Sequence, residues 1–402
     1  MLHKKSVLNQ ASITSLRIIR NQCSAKALRP AFCTKHGDTS KHGHTNHHEE
    51  HILSNHDGGN LVLKNTGFHF ESTKSNDTGK LDLLEKELQK VDEFNKNFNN
   101  YNYEFTRLPP NFADNQFVPI NKGLQDELQN ILGCFDQSPI KYAFGYGSGV
   151  FEQKGYSNSK EEKPQIDMIF GVMHPNHWHA LNMRANPNHY SSLKYFGSEF
   201  VAKFQEIGAG IYFNPFADIN GHQVKYGVVS MERLLKDLAT WDSFYLAGRL
   251  QKPVKVLKND LRVQYWNQLN LKAAATISKH ITLTKNNGVF DEFKFYENLT
   301  GLSYLGDIRY KIGAENPKKI QNIVSKNLEN FRYYYKPVLK DVFENTSTHL
   351  PKGYTLENYA QKLESTIAIN SLQQTLKGIF TAGIAKSLKY AWLKKMKAMK
   401  KQ

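Results

Sequence analysis

Two periods run through the apolar positions of this chain, and they divide it into a sheet-forming stretch and a helical one. Leu81, Leu84, Leu88, Val91 and Phe94 recur at three and four residues, which predicts an amphipathic helix opening the folded part. A Pro- and Asn-rich connection at Leu108–Pro110 and a short helix near Leu124–Leu132 follow. Next come short runs rich in β-branched and aromatic residues: Ile140–Tyr146, Gln165–Val172, Gly210–Phe213, Val224–Ser230 and Pro253–Leu257. Helical patterns at Ser198–Glu206 and Met231–Leu238 separate several of these strands, so an α/β fold is expected, with its sheet domain spanning 80–258. After Asn259 the period is helical, at Leu261–His280 and again at Lys318–Tyr335, predicting a second, mainly helical domain over 259–345. Stripes of this kind are core surfaces, and no internal repeat is visible.

Charge changes the picture at the ends. The chain has 402 residues and a formal net charge of +16, but residues 1–37 hold seven Lys and Arg without an acid, and residues 365–402 hold eight Lys without an acid. The rest carries 38 basic residues against 37 acidic ones, so the body is neutral. A neutral body lacks the basic surface that phosphate-backbone binding requires, and no nucleic-acid partner is expected. The basic, acid-free segment 1–37 has Ile13, Leu16 and Ile19 at near-helical spacing, while Arg17 and Arg20 interrupt any apolar run; this is the pattern of a mitochondrial transit peptide. Residues 38–79, with the histidines clustered between His36 and His56, read as a disordered linker without the fixed spacing a metal site needs. Cys23, Cys33 and Cys134 cannot build a disulfide framework, and no apolar stretch reaches the length of a membrane span.

The region 346–402 ends in a second amphipathic pattern. Phe380, Ile384, Leu388, Ala391, Trp392, Met396 and Met399 share one side of a helical wheel, and Lys386, Lys389, Lys394, Lys397, Lys400 and Lys401 share the other. Such a helix lies in a bilayer interface, and its lysines favour anionic lipid, so an anionic membrane surface is the expected partner; a helix docked on a partner protein or nucleic acid is the alternative.

The segment with most chemical content is Lys141–Phe151, a strand that runs into Gly147-Ser148-Gly149. Glycines let backbone N–H groups approach a phosphate, and the Ser148 hydroxyl adds a donor, although the same turn is also what a tight structural bend looks like. It is neither a Walker A loop nor a complete dinucleotide fingerprint. Downstream, Asp167 is the lone carboxylate in the apolar strand Gln165–Val172, and its charge requires compensation, by a divalent metal, by a lysine or by capping a backbone group. Lys225, Arg249, Lys252 and Lys255 lie in or beside strand candidates of a neutral body, as cations for polyphosphate would, and Lys225 is the preferred triphosphate ligand. Tyr190, Ser191, Ser192 and Lys194 are further candidates for substrate phosphate. His174, His177 and His179 suggest a metal set, but a Pro-containing loop leading into a helix would not converge them, and no nearby Cys or acid completes the shell.

These stretches resemble the mitochondrial translocator assembly and maintenance family, the peripheral mitochondrial CDP-diacylglycerol synthases. The matching runs are FGYGSGVF (144–151), QIDMIFGV (165–172), HPNHWHALNM (174–183), HYSSLKYFG (189–197), GAGIYFN (208–214), KYGVVS (225–230), YLAGRLQKPV (245–254), LSYLGDIR (302–309) and KGIFTAG (377–383). The resemblance implies a nucleotidyltransferase domain followed by a winged-helix-like one, and cytidylyl transfer from CTP to phosphatidic acid with Mg²⁺, on the matrix face of the inner mitochondrial membrane, supplying cardiolipin synthesis. Within it, Gly147, Ser148 and Gly149 hold the β- and γ-phosphates with Lys225, Arg249 and Lys252, and Asp167 binds the metal. One departure stands out. The wider superfamily presents paired acids as D-x-[DE], whereas Gln165 and Ile169 flank Asp167 here, leaving Glu152, Asp218 and Asp242 as unranked second ligands. The family's name also suggests a non-catalytic role in maintaining the protein-import machinery; retention of Ser148, Asp167 and the lysines favours catalysis.

Overall fold

The computed structural model describes residues 108–151, 164–311, 313, 315–344 and 350–383. The transit peptide, the His-rich linker, the helix expected over Leu81–Phe94, Glu152 and the basic segment after Gly383 lie outside these residues.

The first long helix, α1 (Lys122–Gly133), starts where the Asn121 side chain accepts the Gly123 N–H at 2.8 Å. Two nearly continuous apolar runs follow as β1 (Tyr142–Tyr146) and β2 (Ile166–Val172), buried on both faces as central strands are. Next are α2 (Pro175–Ala185), two turns of 3-10 helix at Pro187–His189 and Ser192–Phe196, and α3 (Gly197–Glu206). A hairpin of β3 (Ile211–Ile219) and β4 (His222–Ser230) leads into α4 (Met231–Thr240), the short α5 (Tyr245–Leu250) and β5 (Lys255–Lys258). The remaining elements are helical: α6 (Leu261–Lys285), α7 (Glu292–Leu302), the single turn α8 (Ile308–Lys311), α9 (Lys319–Glu344) and α10 (Tyr359–Ala382).

The strands form one five-stranded mixed sheet in the order β3-β4-β2-β1-β5, so the α/β expectation holds. β2 and β4 run parallel, with the Asp167–Ser230 region in step: Asp167 stands opposite Lys225 and Val172 opposite Ser230. β1 is antiparallel to β2, which puts Tyr146 opposite Asp167. The polypeptide between β2 and β4 therefore makes a crossover through α2, α3 and β3. β3 runs past Pro215, which the periodicity alone would make a breaker, because a bulge between Asn214 and Ala217 absorbs it.

One continuous apolar core extends from Val118 through the sheet to Tyr334, Tyr335 and Ile367 on the late helices. Around the sheet it is aromatic: Phe135 meets Phe170 and Tyr226 edge-on with ring centres 4.9 Å apart, and Trp178 closes over them. The apolar stripes of α6 and α9 are core surfaces, as their spacing predicts, but α6 also buries Asn267 and Asn270.

Two expectations are corrected. The HPNHWH run is mostly helix, because Pro175 stands in the first turn of α2, where its fixed φ suits helix and its missing N–H costs nothing. The amphipathic pattern read as one helix from Phe380 onward is interrupted at Gly383, whose φ of 82° ends α10; Phe380 belongs to the preceding helix. Among the described residues, no helix is long and apolar enough to cross a membrane.

Candidate active site

The site grows from the ends of three strands. β1 terminates at Tyr146 and the chain turns at Gly147, whose φ of 78° lies in the left-handed region. The Gly147 carbonyl accepts the N–H groups of Val150 and Phe151, closing the turn and leaving Ser148 exposed at its tip. Gly149 is needed for a different reason: a side-chain carbon there would collide with the backbone carbonyl of Gln165, so only glycine lets the turn lie this close to β2. A β-carbon on Gly147 would sit 3.5 Å from Oδ2 of Asp167, so the turn and the carboxylate are immediate neighbours.

Asp167 has its counter-charge on the adjacent strand. Lys225 Nζ donates to Asp167 Oδ1 at 2.8 Å, a direct consequence of the parallel β2–β4 register. The same ammonium lies 4.9 Å from the centre of the Phe213 ring. Burial works against the Lys225 charge and is its largest single influence, yet the group stands above the usual lysine range, with the Asp167 carboxylate beside it favouring the ammonium. The sequence alternatives for Asp167 were a lysine, a metal or a backbone group; the lysine is present, and one carboxylate oxygen still faces the glycine turn.

Opposite this pair stands α5. Its Arg249 guanidinium stacks 4.1 Å over the Tyr146 ring and 5.7 Å from that of Tyr245, and its buried Nε has no hydrogen-bond partner among the described residues. Tyr146 is pushed up to about 12, chiefly by burial, with Arg249 and Lys225 pulling the other way, so it is a neutral phenol. Lys252 follows within the same turn of chain; it donates to the Gly248 carbonyl and, at 2.7 Å, to Ser303 Oγ, with its ammonium 5.6 Å from the Tyr304 ring. Burial, then the neighbouring charges of Arg249 and Lys319, press Lys252 well below the usual lysine value. A partly buried Lys and Arg side by side, one with an orphaned donor, form a surface prepared for a polyanion.

The structure thus brings Gly147, Ser148, Gly149, Asp167, Lys225, Arg249 and Lys252 to one place. It sends other candidates elsewhere. Lys255 is buried and donates to the Val118 carbonyl. Lys194 is bound to the Pro187 carbonyl, and the Tyr190 hydroxyl lies in a buried network with His179 and Asn182. His174 and His177 are exposed, whereas His179 is buried between Tyr190 and Gln205, with burial lowering it to about 4, so the three imidazoles do not converge. Asp242 pairs with Arg233 and Lys236 beyond the far end of β4, remote from Asp167. Asp218, opposite Gln223 on the β3–β4 hairpin, lies one diagonal step from Lys225.

No group of three His, Cys, Asp or Glu side chains among the described residues could hold a metal unaided. Magnesium does not require one, since it keeps waters and takes phosphate oxygens alongside one or two carboxylates, and Asp167 with one oxygen turned to the glycine turn fits that role. Sequence reasoning missed Tyr146, Tyr245, Ser303 and Tyr304. The first two were within reach, as Tyr146 abuts the glycine turn and Tyr245 stands one helical turn before Arg249.

Comparisons with known proteins show which family the chain resembles. The family model described as "Phosphatidate cytidylyltransferase, mitochondrial" matches residues 128–356 and 351–397. A Saccharomyces cerevisiae protein of that name is 65% identical over 82% of this chain and 84% of its own length. The Schizosaccharomyces pombe protein is 44% identical over 56% of each chain, and that of Dictyostelium discoideum 33% identical over 76% of this chain and 95% of its own. Among solved structures, a nucleotidyltransferase-like protein from Exiguobacterium sibiricum aligns with 64% of this chain and 77% of its own at 10% identity, with a TM-score of 0.18 that bears no argument. The family match takes in every residue gathered at the site, from the glycine turn to Ser303, and the chain belongs to the mitochondrial phosphatidate cytidylyltransferase family.

Proposed function

We propose that this chain transfers the cytidylyl group of CTP to phosphatidic acid, forming CDP-diacylglycerol and pyrophosphate. The observation that carries the reading is the Asp167–Lys225 pair on adjacent parallel strands, set against the Gly147–Gly149 turn with Arg249 held opposite. The Ser148 hydroxyl and the N–H groups of the turn receive the β- and γ-phosphates. Lys225, Arg249 and Lys252 supply positive charge where the triphosphate lies, and where negative charge grows on the departing pyrophosphate. A phosphate oxygen of the lipid attacks the α-phosphorus in line as the bond to the bridging β-phosphate oxygen breaks. Mg²⁺, held by Asp167, would lower the charge on the α-phosphate during that displacement.

The same reading places the protein peripherally on the matrix face of the inner mitochondrial membrane, with its product feeding cardiolipin synthesis. In support, no described helix can span a bilayer, and the lysine-rich segment 384–402 contains no acid.

The test is incubation of the purified chain lacking residues 1–37 with radiolabelled CTP, Mg²⁺ and phosphatidic acid vesicles, beside the Asp167→Ala variant. Labelled lipid should form with the parent and fall by about 10²- to 10³-fold in the variant, whose melting temperature stays close to the parent's. Equal turnover by the two proteins would remove Asp167 from the site. No labelled lipid from a folded parent would remove the reaction.

A further inference from the structure

The 3-10 turn Ser192–Phe196 and helix α3 present apolar side chains to solvent on a scale unusual for a folded surface. Tyr195 is 81% exposed, Phe196 67% and Phe200 40%. Phe196 packs on Phe200 with ring centres 5.0 Å apart, Phe200 on Phe204 at 6.2 Å, and Phe204 on Phe380 of α10 at 6.3 Å. α10 continues the surface with Leu372, Leu376 and Phe380, 44%, 51% and 51% exposed at helical spacing. The two elements are fastened together: Lys377 is buried and donates to the Gln205 and Ile207 carbonyls at the end of α3, at 2.8 and 2.7 Å. The aromatic row is therefore fixed relative to α10, whose middle meets the start of α8, where the Ile308 N–H donates to Ser371 Oγ at 3.5 Å.

We infer that this face of the folded body inserts into the interface of a bilayer carrying anionic lipid, as a second contact beside the lysine-rich segment 384–402. Three features select that occupant. The exposed groups are Phe, Tyr and Leu on helices lying side by side, the composition of an interfacial surface. The patch ends three residues before Gly383, where the acid-free segment with seven lysines begins, so apolar and cationic surfaces are continuous in the chain. The patch itself carries little net charge, with Lys203 paired to Glu199 at 2.7 Å and Lys194 adding a positive charge beside the Tyr195 ring. The body's contribution is accordingly apolar and survives salt, while that of the tail is electrostatic and does not.

The choice of a lipid surface rests on the phosphatidate reading. The binding test uses no CTP and no turnover, so failure of one is distinguishable from failure of the other. The full chain and a Phe196→Ser/Phe200→Ser double variant are titrated with phosphatidylcholine vesicles containing phosphatidic acid, at low and high salt. The double variant should partition about tenfold more weakly at high salt, with an unchanged melting temperature. In a separate Phe196→Trp variant carrying Trp392→Phe, set beside Trp392→Phe alone, lipids brominated along the acyl chain should quench the new tryptophan's fluorescence. Partition equal to the parent's at both salt levels, or no quenching of that tryptophan, overturns the inference. It is equally overturned if the parent self-associates, the double variant does not, and vesicle partition is the same for both, since the face then belongs to a second copy of the chain.

Discussion

Lys252 carries the clearest single-residue consequence of the site's electrostatics. Burial and the charges of Arg249 and Lys319 depress it, and a triphosphate bound beside it works the other way by favouring the ammonium. Binding of CTP should therefore take up protons, and affinity should weaken as pH rises through the Lys252 value. Calorimetry in two buffers of different ionisation enthalpy measures the uptake; Lys252→Arg, which does not titrate, should show less of it, and equal uptake by both proteins would refute the assignment. Asp167 was legible because a lone carboxylate in an apolar strand requires compensation. Its partner was not, because Lys225 lies 58 residues away and is identified only by strand register. The histidines show the reverse case: HPNHWH attracts a metal reading by composition, while helix geometry turns His179 into the core and leaves His174 and His177 outside.

At the scale of elements, the site depends on α5, a helix of six residues that is too short to be stable by itself. Its start is held by Asp237, a buried carboxylate that accepts the N–H groups of Ser243, Phe244, Leu246 and Ala247 at 2.7–2.9 Å and the Ser243 hydroxyl at 2.9 Å. Its end is held by Tyr334 and Tyr335, whose hydroxyls donate to the Leu250 and Gln251 carbonyls at 2.9 and 2.7 Å. Asn270 of α6 reaches the Ala247 carbonyl between them. Asp237→Ala leaves four backbone donors without their acceptor and should cost about 3–5 kcal/mol, measured by denaturant unfolding. Asp237→Asn should cost less and, in protein that remains folded, raise the KM for CTP through a misplaced Arg249. An unchanged KM would make Asp237 a folding residue alone. The periodicity did not predict α5, because six residues hold fewer than two helical turns and their stability comes from groups elsewhere in the chain.

For the whole molecule, charge and architecture are separable. Removing residues 384–402 takes away seven lysines and no acid, so it should weaken binding to phosphatidic acid vesicles at low salt by at least about tenfold while leaving CTP affinity unchanged, as vesicle sedimentation and calorimetry would show. Vesicle binding that survives the deletion intact at low salt would exclude the tail as an electrostatic anchor. The amino-acid sequence by itself determined the α/β order of elements, the glycine turn, the lone acid, the neutral body between basic ends and the family. Each of these is a local pattern, readable from period, composition or a contiguous motif. Only the tertiary structure decided that Lys225 faces Asp167, that Arg249 stacks on Tyr146, that Lys255 and His179 belong to the core, and that Gly383 ends α10. Strand register, burial and helix ends arise from contacts between residues distant in the chain, and a linear pattern holds no record of which of its polar groups those contacts will bury together.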